Sequence, residues 1–148
     1  MPAHTDIAAL IPHQAGMCLL ERIIEWDADR IVLETDTHRS PTNPLRSDGK
    51  LRAIHLCEYG AQAMAVHGAL KSQPADARAA AGMLVSLRSV TFCVDFIDDL
   101  PCSLRVEATC LQASATSLQY SFRITHQNDL LAEGRAAVML GDARMAPK

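Results

Sequence analysis

Aromatic residues are scarce in this chain: three Phe, two Tyr and one Trp among 148 residues. A pocket walled by aromatic rings is therefore not indicated. No apolar run reaches the roughly 18 residues that a membrane-spanning helix needs, so no membrane span is expected. Basic residues are not in excess either. Lys and Arg number 14 against 17 Asp and Glu, for a net charge of -3, which argues against a nucleic-acid surface, since that would need a basic stripe. The five cysteines (18, 57, 93, 102 and 110) are odd in number and form no CxxC pair. They are expected to be reduced, small core residues of a cytoplasmic protein, with neither disulfides nor zinc ligands among them. The opening MPAHTDIAALIPH has no basic segment followed by an apolar one, so no secretory leader is expected.

What is present is one domain's worth of chain, residues 1–148, without repeats, low-complexity tracts or a linker. HTDIAALIP predicts a short helix capped at Thr5 and stopped before Pro12. In MCLLERIIEWD, Leu20, Arg22, Ile24 and Trp26 alternate with Leu19, Glu21, Ile23 and Glu25. RIVLETDT follows the Asp27-Ala28-Asp29 turn, and the pair predicts a β-hairpin. HRSPTNPLRSDGK (38–50) is loop chemistry. Residues 52–71, rich in Ala, Leu, Met and Gln, predict one long helix with Cys57, Ala61, Met64 and Gly68 as a small-residue stripe. KSQPADARAA is a second loop. MLVSLRSVTFCVDF, SLRVEATC, LQYSFRIT and LLAEGRAAVML then predict strands, with a turn at 126–129 and a frayed end at GDARMAPK. The period-2 alternation implies antiparallel strands with one wet face. One long helix and one sheet predict an α+β fold in which the sheet wraps the helix.

The stretch HLCEYGAQAMAVHGAL (55–70) places a carboxylate, Glu58, in an apolar helix, with the Gln62 amide one turn on. A buried acid is costly unless it is paired or used. The alternative is an ordinary solvated first-turn acid. Gln62, at i+4, shares its face and can hold a carboxyl oxygen.

Two stretches resemble the hotdog-fold 3-hydroxyacyl-acyl-carrier-protein dehydratases. IPHQAGMCLLERIIEWD resembles the family's opening, a Pro-His pair and a strand ending in acidic and Arg residues. CEYGAQAMA resembles its Glu-x-x-Ala-Gln-Ala signature. Closer still is the dehydratase-like subgroup of aryl-polyene-type lipid biosynthesis, where an Asn-Pro-Leu loop likewise leads through Asp-Gly to EYGAQAMAVHGAL. The resemblance covers most of the chain. It implies a dimer, as homodimer or as heterodimer with another hotdog protein, with active sites at the subunit boundary. It also implies a thioester substrate carried on the phosphopantetheine of acyl carrier protein or CoA, and no further cofactor or metal.

Site roles follow from the same resemblance. Glu58 is the catalytic carboxyl. Free N–H groups at the helix start would hold the thioester carbonyl, with Ala53 near the place where the family has a Gly. The family's loop His is missing here. The matching region reads SPTNPLRSDGK, and Asn43, which cannot take up a proton near neutral pH, stands nearest that place. Dehydration needs a base for the C2 proton and an acid for the leaving hydroxyl. Either Glu58 acts alone with Asn43 orienting the hydroxyl, or another His is the base. His13 matches the family's Pro-His and would order the N-terminal segment. His55 lies three residues before Glu58, and His38 in the loop could reach a partner's site. His67, nine residues after Glu58, faces away and reads as a core or dimer-facing side chain. Taken singly, each His is more often structural than catalytic.

Three functions fit these residues: a dehydratase, a thioesterase using Glu58 with Asn43 or Gln62, and a dehydratase-like subunit that pairs with an active homologue. The specificity of the helix signature places the dehydratase first.

Overall fold

In a computed structural model, described for residues 7, 17–72 and 80–142, two short strands, β1 (Arg22–Trp26) and β2 (Arg30–Thr35), form the expected hairpin. A helix, α1 (Leu56–Ser72), follows, then β3 (Ala80–Phe92), β4 (Leu104–Ala113), β5 (Ser117–His126) and β6 (Asp129–Asp142). All neighbouring strands are antiparallel, in the order β1-β2-β4-β5-β6-β3. The chain thus leaves β2, passes through α1 to the far edge at β3, and returns to lay β4 beside β2. The α+β architecture with one long central helix matches the expectation from the sequence.

The alternation in β4 has the expected consequence. Leu104, Val106 and Ala108 are buried on the inner face, while Arg105, Glu107 and Thr109 are not. Tyr120, Phe122 and Ile124 of β5 continue that inner face, as do Ile31 and Leu33 of β2. α1 lies over β2, β4 and β5. The approach is close because Gly60 lies against Phe122, where a Cβ would stand 2.8 Å from the ring.

Several details depart from the sequence reading. A β-bulge between Ile23 and Glu25 shifts the register, so Ile23 pairs with Leu33 and Trp26 with Ile31. Ile23 and Trp26 therefore share a side, although strict alternation separates them. The helix starts at Leu56, because Arg52 bridges to Phe96 and Ala53–His55 form a 3-10 turn. The fully buried stripe of α1 is Leu56, Tyr59, Ala63, Val66 and His67, whereas Cys57, Ala61 and Gly68 are only half-buried. β3 ends at Phe92, short of the expected Phe96. All five cysteines are free as expected, but none is fully buried and Cys93 is exposed. Of the expected first helix, only Ile7 is described, helical and buried. The rest of it, residues 73–79 and the C-terminal end beyond Asp142 lie outside the described residues.

Two tight turns match the chemistry of their residues. Gln127 (φ 50°) and Asn128 (φ 71°) close the β5–β6 hairpin. Asp48 (φ 55°) and Gly49 (φ 76°) close a small Ser47–Lys50 turn. Successive positive φ values are what two-residue hairpin turns require, and Asp-Gly supplies them.

Candidate active site at the head of the helix

Glu58 sits in the first turn of α1, half-buried. The Gln62 amide nitrogen donates to its Oε2 at 3.0 Å, as the i, i+4 spacing predicts. The same nitrogen donates to the Met17 carbonyl at 2.7 Å, and Gln62 Oε1 accepts from the Leu19 N–H at 2.9 Å. Gln62 is fully buried. One side chain thus pins the 17–19 segment to the helix and fixes one carboxylate oxygen of Glu58.

Asn43 is buried too, and its amide is engaged on every side. Its Nδ2 donates to the Thr37 carbonyl at 2.9 Å and to Tyr59 Oη at 3.2 Å, and its Oδ1 accepts from the Leu45 N–H at 2.9 Å. Tyr59 Oη lies 2.9 Å from Thr37 Oγ1, which donates to the Leu19 carbonyl at 2.7 Å. Because Asn43 donates to Tyr59, the phenol donates onward to Thr37. The result is a directed chain, Asn43 to Tyr59 to Thr37 to Leu19. Burial pushes the Tyr59 phenol up, so it stays protonated as that chain requires. Arg46 closes the loop from outside, donating to the carbonyls of Ser40, Gly49 and His38. Tyr59 adjoins Glu58 in the signature, but nothing in the sequence marks Thr37 or Asn43 as its partners.

The other expected site residues separate. The Ala53 N–H, expected to meet a thioester carbonyl, donates instead to the Asp95 carbonyl at 2.9 Å. It is taken because residues 51–53 pair with the 95–97 segment. His38 is buried in the loop, with Nε2 donating to the Leu100 carbonyl at 3.0 Å and Nδ1 without a partner among the described residues. It points into the protein, so it cannot reach a partner's site as the sequence suggested. Burial pulls its pKa down. His67 is a core residue. Its Nε2 donates to the Asp27 carbonyl at 2.8 Å, so Nδ1 accepts from Tyr120 Oη at 2.6 Å. His126 accepts from the Cys102 N–H at 3.1 Å. His55 ends the 3-10 turn, half-buried, within a turn of Glu58. His13 lies outside the described residues. Among the described residues, no group of three His, Cys, Asp or Glu side chains is placed to hold a metal, and no helix is long and apolar enough to cross a membrane.

A six-stranded antiparallel sheet around one helix, with a Glu-Gln pair at the helix head, defines a hotdog-fold enzyme of the dehydratase and thioesterase kind. The model of the ApeP-like family, described as ApeP dehydratase, matches residues 5–146, and the chain belongs to that family of aryl-polyene-type dehydratases. The function is thus that of a dehydratase or dehydratase-like protein. Among solved structures, the dehydratase heterocomplex ApeI:P from Xenorhabdus doucetiae is similar at 23% identity. That match has a TM-score of 0.81 and covers 95% of this chain and 94% of that one. A thioesterase family protein from Silicibacter pomeroyi is similar at 16% identity with TM-score 0.67, covering 93% and 96%. A hypothetical thioesterase with coenzyme A from Streptococcus pneumoniae is similar at 14% identity with TM-score 0.58, covering 82% and 85%. These likenesses speak to the fold. A search of curated proteins finds no match.

Proposed function

We propose that this chain supplies the carboxyl half of a 3-hydroxyacyl-thioester dehydratase site whose base is a histidine of a second hotdog subunit. The observation that carries the reading is the contrast between Glu58 and Asn43. Glu58 is held in place by Gln62. Asn43, nearest the place of the family's loop His, has both amide hydrogens engaged and cannot serve as a base. His38, His67 and His126 are buried in structural hydrogen bonds. In the proposed step the partner's imidazole takes the C2 proton, and the electron pair forms the C2–C3 double bond. The Glu58 carboxyl protonates the C3 hydroxyl, which leaves as water. The two protonation states are then exchanged, and both are restored through solvent. The substrate is a thioester of acyl carrier protein or CoA, and the free cysteines favour a reducing, cytoplasmic setting.

The similar ApeI:P structure is a dehydratase heterocomplex, which favours a different hotdog protein as partner over a second copy. Hydrolysis is less favoured. A thioesterase would need an amide or N–H donor for the carbonyl oxygen, and the side-chain amides of Gln62 and Asn43 are already engaged.

The test is a mass-spectrometric assay on 3-hydroxyacyl-carrier-protein, with the chain alone and mixed with a hotdog partner dehydratase. Enoyl product is expected only from the mixture, and Glu58→Gln should lower its rate by about 100-fold or more, the scale of a general acid. Full turnover by the chain alone, or full turnover with Glu58→Gln, would refute the proposal.

A further inference from the structure

The sheet has a second face, turned away from α1, and register lays out its charges. In β4, β5 and β6 the buried residues alternate with Arg105, Glu107, Arg123, Glu133 and Arg135, which therefore point outward. Arg88 of β3 joins them, because Leu87 beside it stands opposite the buried Ala136. At the β2 end of this face the charges cancel. Arg30 binds Glu107 at 2.7 Å, and Arg22 lies 3.2 Å from Asp36 and 3.9 Å from Glu34. Toward β3 they do not cancel. Arg105 stands opposite Thr125 and Arg123 opposite Glu107, so Arg105 and Arg123 are diagonal neighbours. Arg123 stands opposite Glu133 and Ser121 opposite Arg135, so Arg123 and Arg135 are diagonal neighbours too. Arg135 is directly opposite Arg88. The four arginines form a stripe across four strands, its diagonal members about 7 Å apart. Among the described residues none of the four makes an ion pair or a side-chain hydrogen bond. Glu133 is the one carboxylate beside the stripe that neither Arg22 nor Arg30 holds, so positive charge is in excess here, in a chain whose net charge is -3.

Like charges directly opposite each other destabilise a sheet, so the Arg88–Arg135 pair costs the fold and no carboxylate among the described residues offsets it. Thr91, Ser121 and Thr125 stand among the arginines. The stripe holds no aromatic ring on which a base could stack, and no large apolar anchor of the kind that centres a protein interface. The exposed Met139 lies beyond Arg135, toward the strand end. Spaced cations on a broad polar face fit an array of anionic groups recognised by charge alone. We propose that this face docks peripherally on an anionic phospholipid surface, with Arg88, Arg105, Arg123 and Arg135 set against the headgroup phosphates. Such a surface attracts each basic residue near it, while the helix side, with Glu58, stays turned away from the lipid. The proposal does not depend on the dehydratase reading.

Flotation of the full chain with vesicles tests it. Vesicles of phosphatidylglycerol and phosphatidylcholine in equal parts should carry the chain at low salt, and vesicles of phosphatidylcholine alone should not. Added salt should release it, because exposed charges are screened. Arg88→Gln should weaken partitioning about fivefold, the scale of one basic residue near an anionic membrane, and Arg88→Gln with Arg135→Gln should weaken it further. A thermal melt serves as the folding control, and the double variant should melt no lower than wild type because a like-charge pair is removed. Lys71→Gln makes the same charge change on the exposed end of α1 and should leave partitioning unaltered. Equal flotation with both kinds of vesicle, or a folded double variant that partitions like wild type, would overturn the proposal. So would a loss in Lys71→Gln as large as that in Arg88→Gln, since net charge alone would then govern binding. Capture by an acidic carrier protein without flotation on anionic vesicles would also overturn it, in favour of a protein partner.

Discussion

Gln62 does three things with one amide: it orients Glu58, and it satisfies the backbone of both Met17 and Leu19. Removing it leaves the Leu19 N–H and the Met17 carbonyl inside without a partner. Gln62→Leu, which nearly keeps the volume, should cost about 1–3 kcal/mol of stability for the unsatisfied groups. Chemical denaturation checks this, and kcat of the assembled enzyme should fall further than stability alone explains, because Glu58 loses its anchor. Asn43 invites the opposite experiment. Asn43→His puts an imidazole where the family's base stands, but that position faces Tyr59 and Thr37. The variant should stay inactive without a partner and melt lower than wild type, since the bonds to the Thr37 carbonyl and the Leu45 N–H are lost. Enoyl product from Asn43→His alone would refute the assignment of Asn43 to loop structure. Glu58 and Gln62 were legible in the sequence because one helical turn joins them and the signature contains both. The role of Asn43 was not, because its partners at Thr37 and Tyr59 come together only once the loop has folded onto the helix. Ala53 failed for a similar reason: a donor at a helix start is free only if no other segment pairs with it, and Asp95 does.

At the scale of elements, α1 is tied to the far end of the β-hairpin by His67. The imidazole joins the Asp27 carbonyl in the β1–β2 turn to Tyr120 of β5, and Trp26 meets its ring edge-on at 6.4 Å. Burial favours the neutral imidazole, in which Nδ1 accepts from Tyr120 Oη. Burial lowers the pKa of His67, and likewise that of His38. The unfolded chain takes up these protons near the ordinary value of about 6.5. Below that pH the unfolded state binds more protons than the folded one, so stability falls as pH drops through about 6.5 toward the lowered folded values. Thermal melts at descending pH should record this loss between neutral pH and mild acid. His67→Gln should flatten the slope while lowering the neutral-pH melting point. A slope unchanged in His67→Gln would clear His67 of the effect. Clean alternation made β4, β5 and the hairpin readable in advance. The bulge at Ile24 was not readable, since a single extra residue leaves no mark in a composition that suits either face.

For the molecule as a whole, the decisive fact is that the helix covers only part of the sheet. It lies over β2, β4 and β5. The two longest strands, β6 and β3, form the far edge, and among the described residues β3 has a neighbour on one side only. Leu87 of β3 stands opposite the buried Ala136 and so faces the inner side, yet it is 37% exposed, as is Phe92 further along. A long edge strand with apolar side chains and free ladder positions is a template for pairing with another chain. On the proposed reading, in which the base comes from a partner, this edge is the candidate seam for assembly. A charge at Leu87 should prevent pairing while leaving the fold intact, because the side chain already borders solvent and edge strands tolerate charge. With Leu87→Glu, light scattering after size exclusion should find the chain unpaired when mixed with its hotdog partner. The far-ultraviolet spectrum should remain that of the wild type, and enoyl formation should fall with complex formation, although Glu58 and Gln62 are untouched. Retained activity in a variant that no longer pairs would mean that the site is complete within one chain, and that the base must be sought among this chain's own histidines, beginning with His55.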